Sequence, residues 1–117
     1  MEARAVAKDL RMSPRKVRLV VDQIRGCSVT EAYSLLQFSK KAASVPVSKT
    51  LRSAVANAQD KADRDGETVD VDELVVSQAF VDEGPTLRRW KAAAQGRAVP
   101  RRRRTSHITL VVKSKEN

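Results

Sequence analysis

The sequence predicts an α+β fold: three helices packed on a small antiparallel sheet, with a long protruding β-hairpin. Three observations carry this. Apolar residues recur at helical spacing over 13–25, 28–38 and 40–62, in two cases between clear start or stop signals. Segments of period two, or short apolar runs, stand at 2–11, 73–81 and 106–113. Between the last two lies Gly84 to Arg104, which holds eight basic residues, no acidic one, and few side chains able to fill a core.

The elements follow in order. Ala3, Ala5 and Ala7 alternate with Arg4, Val6 and Lys8, a strand with little bulk. In "SPRKVRLVVDQIR" Ser13 suits an N-cap, Pro14 the first helical position, and Gly26 the stop. Val17, Val20, Val21 and Ile24 form its apolar stripe. Ser28 with Glu31 three residues on is a capping box, and Ala32, Leu35 and Leu36 supply the second helix's stripe. The third helix offers Val47, Leu51, Ala54, Val55 and Ala58; at Pro46 the helix either starts or kinks, and a kink after a ragged first turn is the favoured expectation. "DKADRDGETVDVDE" reads as an acidic loop, and residues 60–83 hold nine acidic and two basic residues. "ELVVSQAFV" is a strand ending at Val81. In the last strand Ile108, Leu110 and Val112 alternate with His107, Thr109 and Val111. Ten residues per arm, each rising ~3.3 Å, give the hairpin a reach on the order of 30 Å. An isolated ribbon that repels itself is expected to order only against a polyanion.

A chain of 117 residues suits one domain, residues 1–117, with the basic extension at about 84–104. It is 41% hydrophobic but only 3% aromatic, so Val, Leu, Ile and Ala must build the core. No apolar run approaches the ~20 residues that span a bilayer, and no export signal pattern opens the chain. No membrane partner is expected. A single cysteine, Cys27, excludes an internal disulfide framework and a zinc site made of cysteine pairs, and fits a reducing, cytoplasmic setting.

The net charge is +9, from 23 basic and 14 acidic residues. With eight of the basic residues in the hairpin, fifteen remain against fourteen acidic ones elsewhere. Such clustering is the footprint of a polyanion partner. The phosphate donors expected in the hairpin are Arg88, Arg89, Lys91, Arg97, Arg101, Arg102, Arg103 and Arg104, because a guanidinium fork binds phosphate bidentately. Trp90, set among these cations, could stack on a base or pack on the hairpin's foot. Arg15, Lys16, Arg18 and Arg25 on the first helix could form a second phosphate-binding face. The alternative is an ordinary solvated face, with Arg18 and Asp22 as a weak i, i+4 pair.

No catalytic constellation emerges. His107 and Cys27 are the sole histidine and thiol, and no third partner is indicated. No glycine-rich phosphate cradle or metal-spaced carboxylate pair is present, and "DRDGE" lacks the calcium-loop pattern. Neither enzyme activity, cofactor nor metal is expected.

Four segments carry a family resemblance: "RMSPRKVRLVVDQIRG", "LRSAVANAQ" at Leu51–Gln59, "FVDEGPTLRRW" at Phe80–Trp90, and "GR…RTSHITLVV" from Gly96 to Val112. In this order they resemble the bacterial large-subunit ribosomal protein L-twenty-two family, over residues 2–113. The resemblance implies binding to 23S rRNA early in subunit assembly, next to other large-subunit ribosomal proteins. It implies a ribosome-bound protein whose hairpin lines the polypeptide exit tunnel near the macrolide site, with the nascent polypeptide passing its tip. It implies RNA contacts at Ser13, Arg15, Lys16 and Arg18, at Arg88, Arg89, Gly96 and Arg97, and at Arg104, Thr105, Ser106 and His107. The chain departs from the family's usual pattern at Ala92 and Ala93, where proline and a basic residue are common, and at Cys27, where lysine is. The competing reading is a DNA-architectural protein that inserts a basic β-arm into the minor groove, with Pro100 as wedge.

Overall fold

The structure, a computed structural model, describes residues 1–92, 96 and 98–114. Strand β1 (Glu2–Leu10) leads into helices α1 (Pro14–Ile24), α2 (Val29–Phe38) and α3 (Ser44–Arg64). One 3₁₀ turn (Val71–Glu73) precedes strands β2 (Leu74–Glu83), β3 (Leu87–Ala92), β4 (Ala98–Arg103) and β5 (Ser106–Ser114). β1, β5 and β2 form an antiparallel sheet in that order, with β5 central, while β3 and β4 pair as a separate two-stranded sheet. The α+β architecture of three helices on a small antiparallel sheet is thus present. The radius of gyration is 17.6 Å and the longest dimension 66 Å. A compact chain of this length has a radius of gyration of only ~13 Å.

The helices form where local signals dictate. Pro14 opens α1, and Gly26, at φ +82°, adopts the left-handed conformation that ends it. Val17, Val20, Val21 and Ile24 are all fully buried. Ser13 precedes α1 in extended conformation, but its hydroxyl makes no capping bond. The Ser28 hydroxyl does cap α2, accepting from the Glu31 N–H at 3.2 Å.

Two expectations about α3 are corrected. The helix begins at Ser44 and Pro46 causes no mid-helix kink. Pro46 stands in the first turn, where a backbone N–H has no intrahelical acceptor to lose. Its carbonyl is used normally and accepts the Thr50 hydroxyl at 2.8 Å. The acidic loop is also shorter than expected, because Asp60–Arg64 continue the helix. An i, i+4 ion pair between Arg64 and Asp60 accompanies this extension.

The helices cover one face of the three-stranded sheet. Ala3 and Ala5 of β1, Ile108, Leu110 and Val112 of β5, and Leu74, Val76, Ala79 and Val81 of β2 join the helical stripes in one core. The inward phase of β2 changes between Val76 and Ala79. A bulge between Val76 and Gln78 produces this, since one extra residue flips the alternation. On the other face Val6, Thr109 and Phe80 lie in one cross-strand row. Val6 and Phe80, each about two-fifths exposed, flank Thr109 and leave it buried.

Both sheet edges are occupied. On β2 the Val76 carbonyl accepts from Gly26 N–H and the Val76 N–H donates to Cys27 O, at 2.9 and 2.8 Å. Further along, Arg25 donates to Ala79 O and Arg18 to Val81 O. On β1, Asn57 Nδ2 donates to Arg4 O at 2.9 Å and Lys61 Nζ to Glu2 O at 3.1 Å, both from α3. Side chains from α1 and α3 therefore occupy backbone acceptors that another strand could otherwise pair with.

Candidate nucleic-acid interface

The basic ribbon is built from β3 and β4. Its register sets Leu87 opposite Arg103, Arg88 opposite Arg102, Arg89 opposite Arg101, Trp90 opposite Pro100 and Lys91 opposite Val99. The backbone register thus sets two arginine–arginine pairs at opposed positions of the ladder. Like charges in that relation destabilise a two-stranded sheet, and the sequence offers no acidic residue between Gly84 and Arg104 to offset them. Arg102, Arg103 and Arg104 are exposed. Gly96 has φ +69°, a conformation that favours glycine. Arg97 lies outside the described residues.

The foot of the ribbon is held by a set of long-range hydrogen bonds. Gly84 N–H donates to Thr105 O at 2.9 Å, and the Thr105 hydroxyl donates to Pro85 O at 2.6 Å. The Ser106 hydroxyl donates to Met12 O at 2.6 Å. His107 Nδ1 accepts from the Asp9 N–H at 3.0 Å, with Asp9 at φ +58°, beside the register shift of β1. A Cβ on Gly84 would collide with the Thr105 hydroxyl and crowd the His107 ring. Gly84 is therefore required by close approach.

Three residues that the resemblance placed among RNA contacts are engaged within the chain. Thr105 is 4% exposed and Ser106 fully buried, and both hydroxyls are committed to backbone carbonyls. They brace the ribbon against the body. His107 is half-buried and also braces, through β1. Sequence reasoning missed Gly84, Asp9 and Met12 as parts of this foot. Gly-Pro after a strand signals a turn, but the bonding partners lie as far as 98 residues away.

The α1 cations divide into two groups. Arg18 directs Nε and Nη2 at Val81 O, at 3.2 and 2.8 Å. Arg25 does the same to Ala79 O, at 3.0 and 2.6 Å, and pairs with Asp22 at 2.9 Å. The i, i+4 pair of Arg18 with Asp22 does not form; Asp22 pairs with Arg25 instead. Arg15 and Lys16 are exposed. Because Met12 receives the Ser106 hydroxyl, the start of α1, with Ser13, Arg15 and Lys16, stands near the ribbon's foot.

A test separates bracing from RNA contact at Arg18. Arg18→Ala is expected to lower unfolding stability by ~1 kcal/mol, the order of one net hydrogen bond, because the bond is part-buried but the residue itself is exposed to solvent. Arg18→Lys should not restore it, since one ammonium cannot reproduce the two-nitrogen grip. Urea denaturation reads both. Unchanged stability with a shallower salt dependence of RNA binding would assign Arg18 to the RNA instead.

The two reactive side chains show no catalytic arrangement. Burial, and then the Glu31 carboxylate, push the Cys27 thiol above its ordinary value, which disfavours the nucleophilic thiolate. Its Sγ donates to Gln23 O at 3.5 Å, while His107 is engaged by Asp9. Among the described residues no group of three His, Cys, Asp or Glu side chains could hold a metal ion. No helix among them is long and apolar enough to cross a membrane.

Fold and charge define a class: a small basic α+β protein with a braced cationic ribbon. Comparison with known proteins narrows it. The family model "Ribosomal protein L22p/L17e" matches residues 5–113, and the chain belongs to this family. "Large ribosomal subunit protein uL22" of Bifidobacterium longum (strain DJO10A) is 53% identical over 116 residues, covering 99% of this chain and 98% of the relative. The protein of the same name from Bifidobacterium animalis subsp. lactis (strain AD011) is also 53% identical over the same spans.

Proposed function

We propose that the protein is a structural, non-enzymatic constituent of the large ribosomal subunit, working ribosome-bound in the cytoplasm, and that it binds 23S rRNA as a single RNA-binding unit. The observation that carries this reading is the ribbon's register, which sets two arginine pairs opposite each other, Arg88 with Arg102 and Arg89 with Arg101. A ladder with that register gains stability from phosphates that neutralise it from outside. Folded RNA supplies them on several sides, and its 2′-hydroxyls and unpaired bases offer further contacts. The cationic donors are Arg15 and Lys16 on α1, and Arg88, Arg89, Lys91, Arg97 and Arg101 to Arg104 on the ribbon; Ser13, Trp90 and Gly96 lie among them.

The family membership supports the finer proposal that the hairpin lines the polypeptide exit tunnel, next to neighbouring large-subunit proteins, with the nascent polypeptide passing its tip. The Thr105, Ser106 and His107 bonds would then fix the angle at which the ribbon leaves the body.

The test compares 23S rRNA with a DNA duplex of equal charge at equal salt. Preferential binding to rRNA, and co-sedimentation with the large subunit through a moderate salt wash, are the expected results. Preference for the duplex would favour a DNA-architectural protein and overturn the proposal.

A further inference from the structure

Away from the ribbon, the junction of α2 and α3 carries an unusual exposed ring. Phe38, the last residue of α2, is 80% exposed, although the chain has only four aromatic residues. Exposed apolar residues are common singly. One residue on, past Ser39, come Lys40 and Lys41, both exposed, and a cleft of about 570 Å³ opens beside the ring, lined also by Gln23 and Leu35. Lys41 borders a second cleft with Lys16 of α1. Glu31 is the acidic residue on the first cleft's rim, against two lysines there.

The turn that presents these groups is fixed from both sides. Ser39 N–H donates to Leu36 O, and the Ser39 hydroxyl accepts from the Lys41 N–H at 3.3 Å. The Lys41 carbonyl accepts both the Ser44 N–H at 3.1 Å and the Ser44 hydroxyl at 2.7 Å, and Ser44 is buried. A cationic turn held in this way loses little freedom when it binds.

We infer that this junction is a second RNA site, one that stacks an unpaired nucleotide on Phe38 and holds its flanking phosphates with Lys40 and Lys41. The inference rests on the rRNA reading and adds a place on the body to it. Phe38 lines the cleft but is 80% exposed, so its ring is a platform at the cleft's mouth more than an enclosed wall. A planar base covers such a platform with one face, and every base can do so. The adjacent lysines match the negative backbone that accompanies a base. A peptide would need side-chain enclosure that a ring so exposed does not provide, and an acidic peptide in this place is one outcome of the test.

The experiment uses the full chain and 23S rRNA at fixed salt, with circular dichroism as a check on folding. Phe38→Ala should weaken binding by about five- to 150-fold, the range for losing one base stack. Phe38→Tyr should bind as the parent does, and Phe38→Leu should fail as alanine does, because it keeps apolar bulk without a π face. Replacing Lys40 and Lys41 with Ala should make the log–log salt slope shallower by about 1.5, at ~0.7–0.9 per lost phosphate contact. Ultraviolet cross-linking of the bound parent should mark the peptide that contains Phe38. Parental affinity in Phe38→Leu, or an unchanged slope in the lysine variant, overturns the site while leaving the rRNA reading intact. The same holds if Phe38→Leu loses affinity for poly-glutamate but not for rRNA. Failure of the parent chain itself to bind rRNA would instead sink the functional reading, and the site with it.

Discussion

Replacing Arg102, Arg103 and Arg104 together with alanine is expected to weaken 23S rRNA binding on the order of 100-fold or more at about 0.1 M salt. Each phosphate contact contributes ~0.7–0.9 to the log–log salt slope, so three lost contacts should make it shallower by about two or three. All three side chains are exposed, and none has an internal acidic partner within the 84–104 segment. The single variants carry more information. Arg102 and Arg103 are neighbours on β4, and successive strand residues point to opposite faces. If RNA encloses the ribbon, Arg102→Ala and Arg103→Ala should each reduce the slope. A reduction in only one would mean that a single face meets RNA. No reduction in either would place these charges in solvent and remove the main support for the proposed function. The measurement is a series of equilibrium titrations across salt concentrations.

The second large effect is expected at the ribbon's foot. Gly84→Ala should cost ~1–3 kcal/mol, the range for forcing an extra methyl into a packed site. The added Cβ would meet the Thr105 hydroxyl, which is buried and already donates to Pro85 O, so it cannot swing aside freely. Thr105→Ala alone should cost ~1 kcal/mol for the lost hydrogen bond, while removing the atom that Gly84→Ala strikes. The double variant should therefore lose clearly less than the two singles added together. Denaturant titrations of the four proteins close this cycle. Simple additivity would mean that Gly84 tolerates a side chain and that the close approach does not constrain the foot.

What could be read in advance depended on how local each signal is. α1 and α2 were legible because their start and stop signals and most of their apolar stripes lie within about a dozen residues, although Leu35, expected in α2's buried stripe, is exposed. β5 was legible from the alternation of Ile108, Leu110 and Val112 with His107, Thr109 and Val111. Pro46 was misread because a proline near a helix start and one inside a helix differ only in where the first turn begins. Nothing local marks that point here: Ala43 precedes α3 in helical conformation, without a side-chain cap. The β2 bulge was invisible because "VVSQAF" fits either phase, and pairing with β5 decides between them.

The candidate site divides in the same way. Basic composition alone marked the ribbon, since eight cations without an acidic residue need an external anion wherever they sit. Composition could not tell which arginines remain free. Arg15 and Arg18 stand three residues apart on one helix and both are exposed, yet Arg18 directs its guanidinium at the Val81 carbonyl. The resemblance places Thr105 and Ser106 among RNA contacts, yet both are buried and their hydroxyls donate to internal carbonyls.

By itself, then, the sequence determined the element types, the apolar stripes and the polyanion-seeking ribbon, because period, capping and charge are properties of short stretches. Only the tertiary structure decided which polar groups were left for a partner. An arginine or hydroxyl is consumed or spared according to which strand edge, distant in the chain, the fold brings within about 3 Å of it.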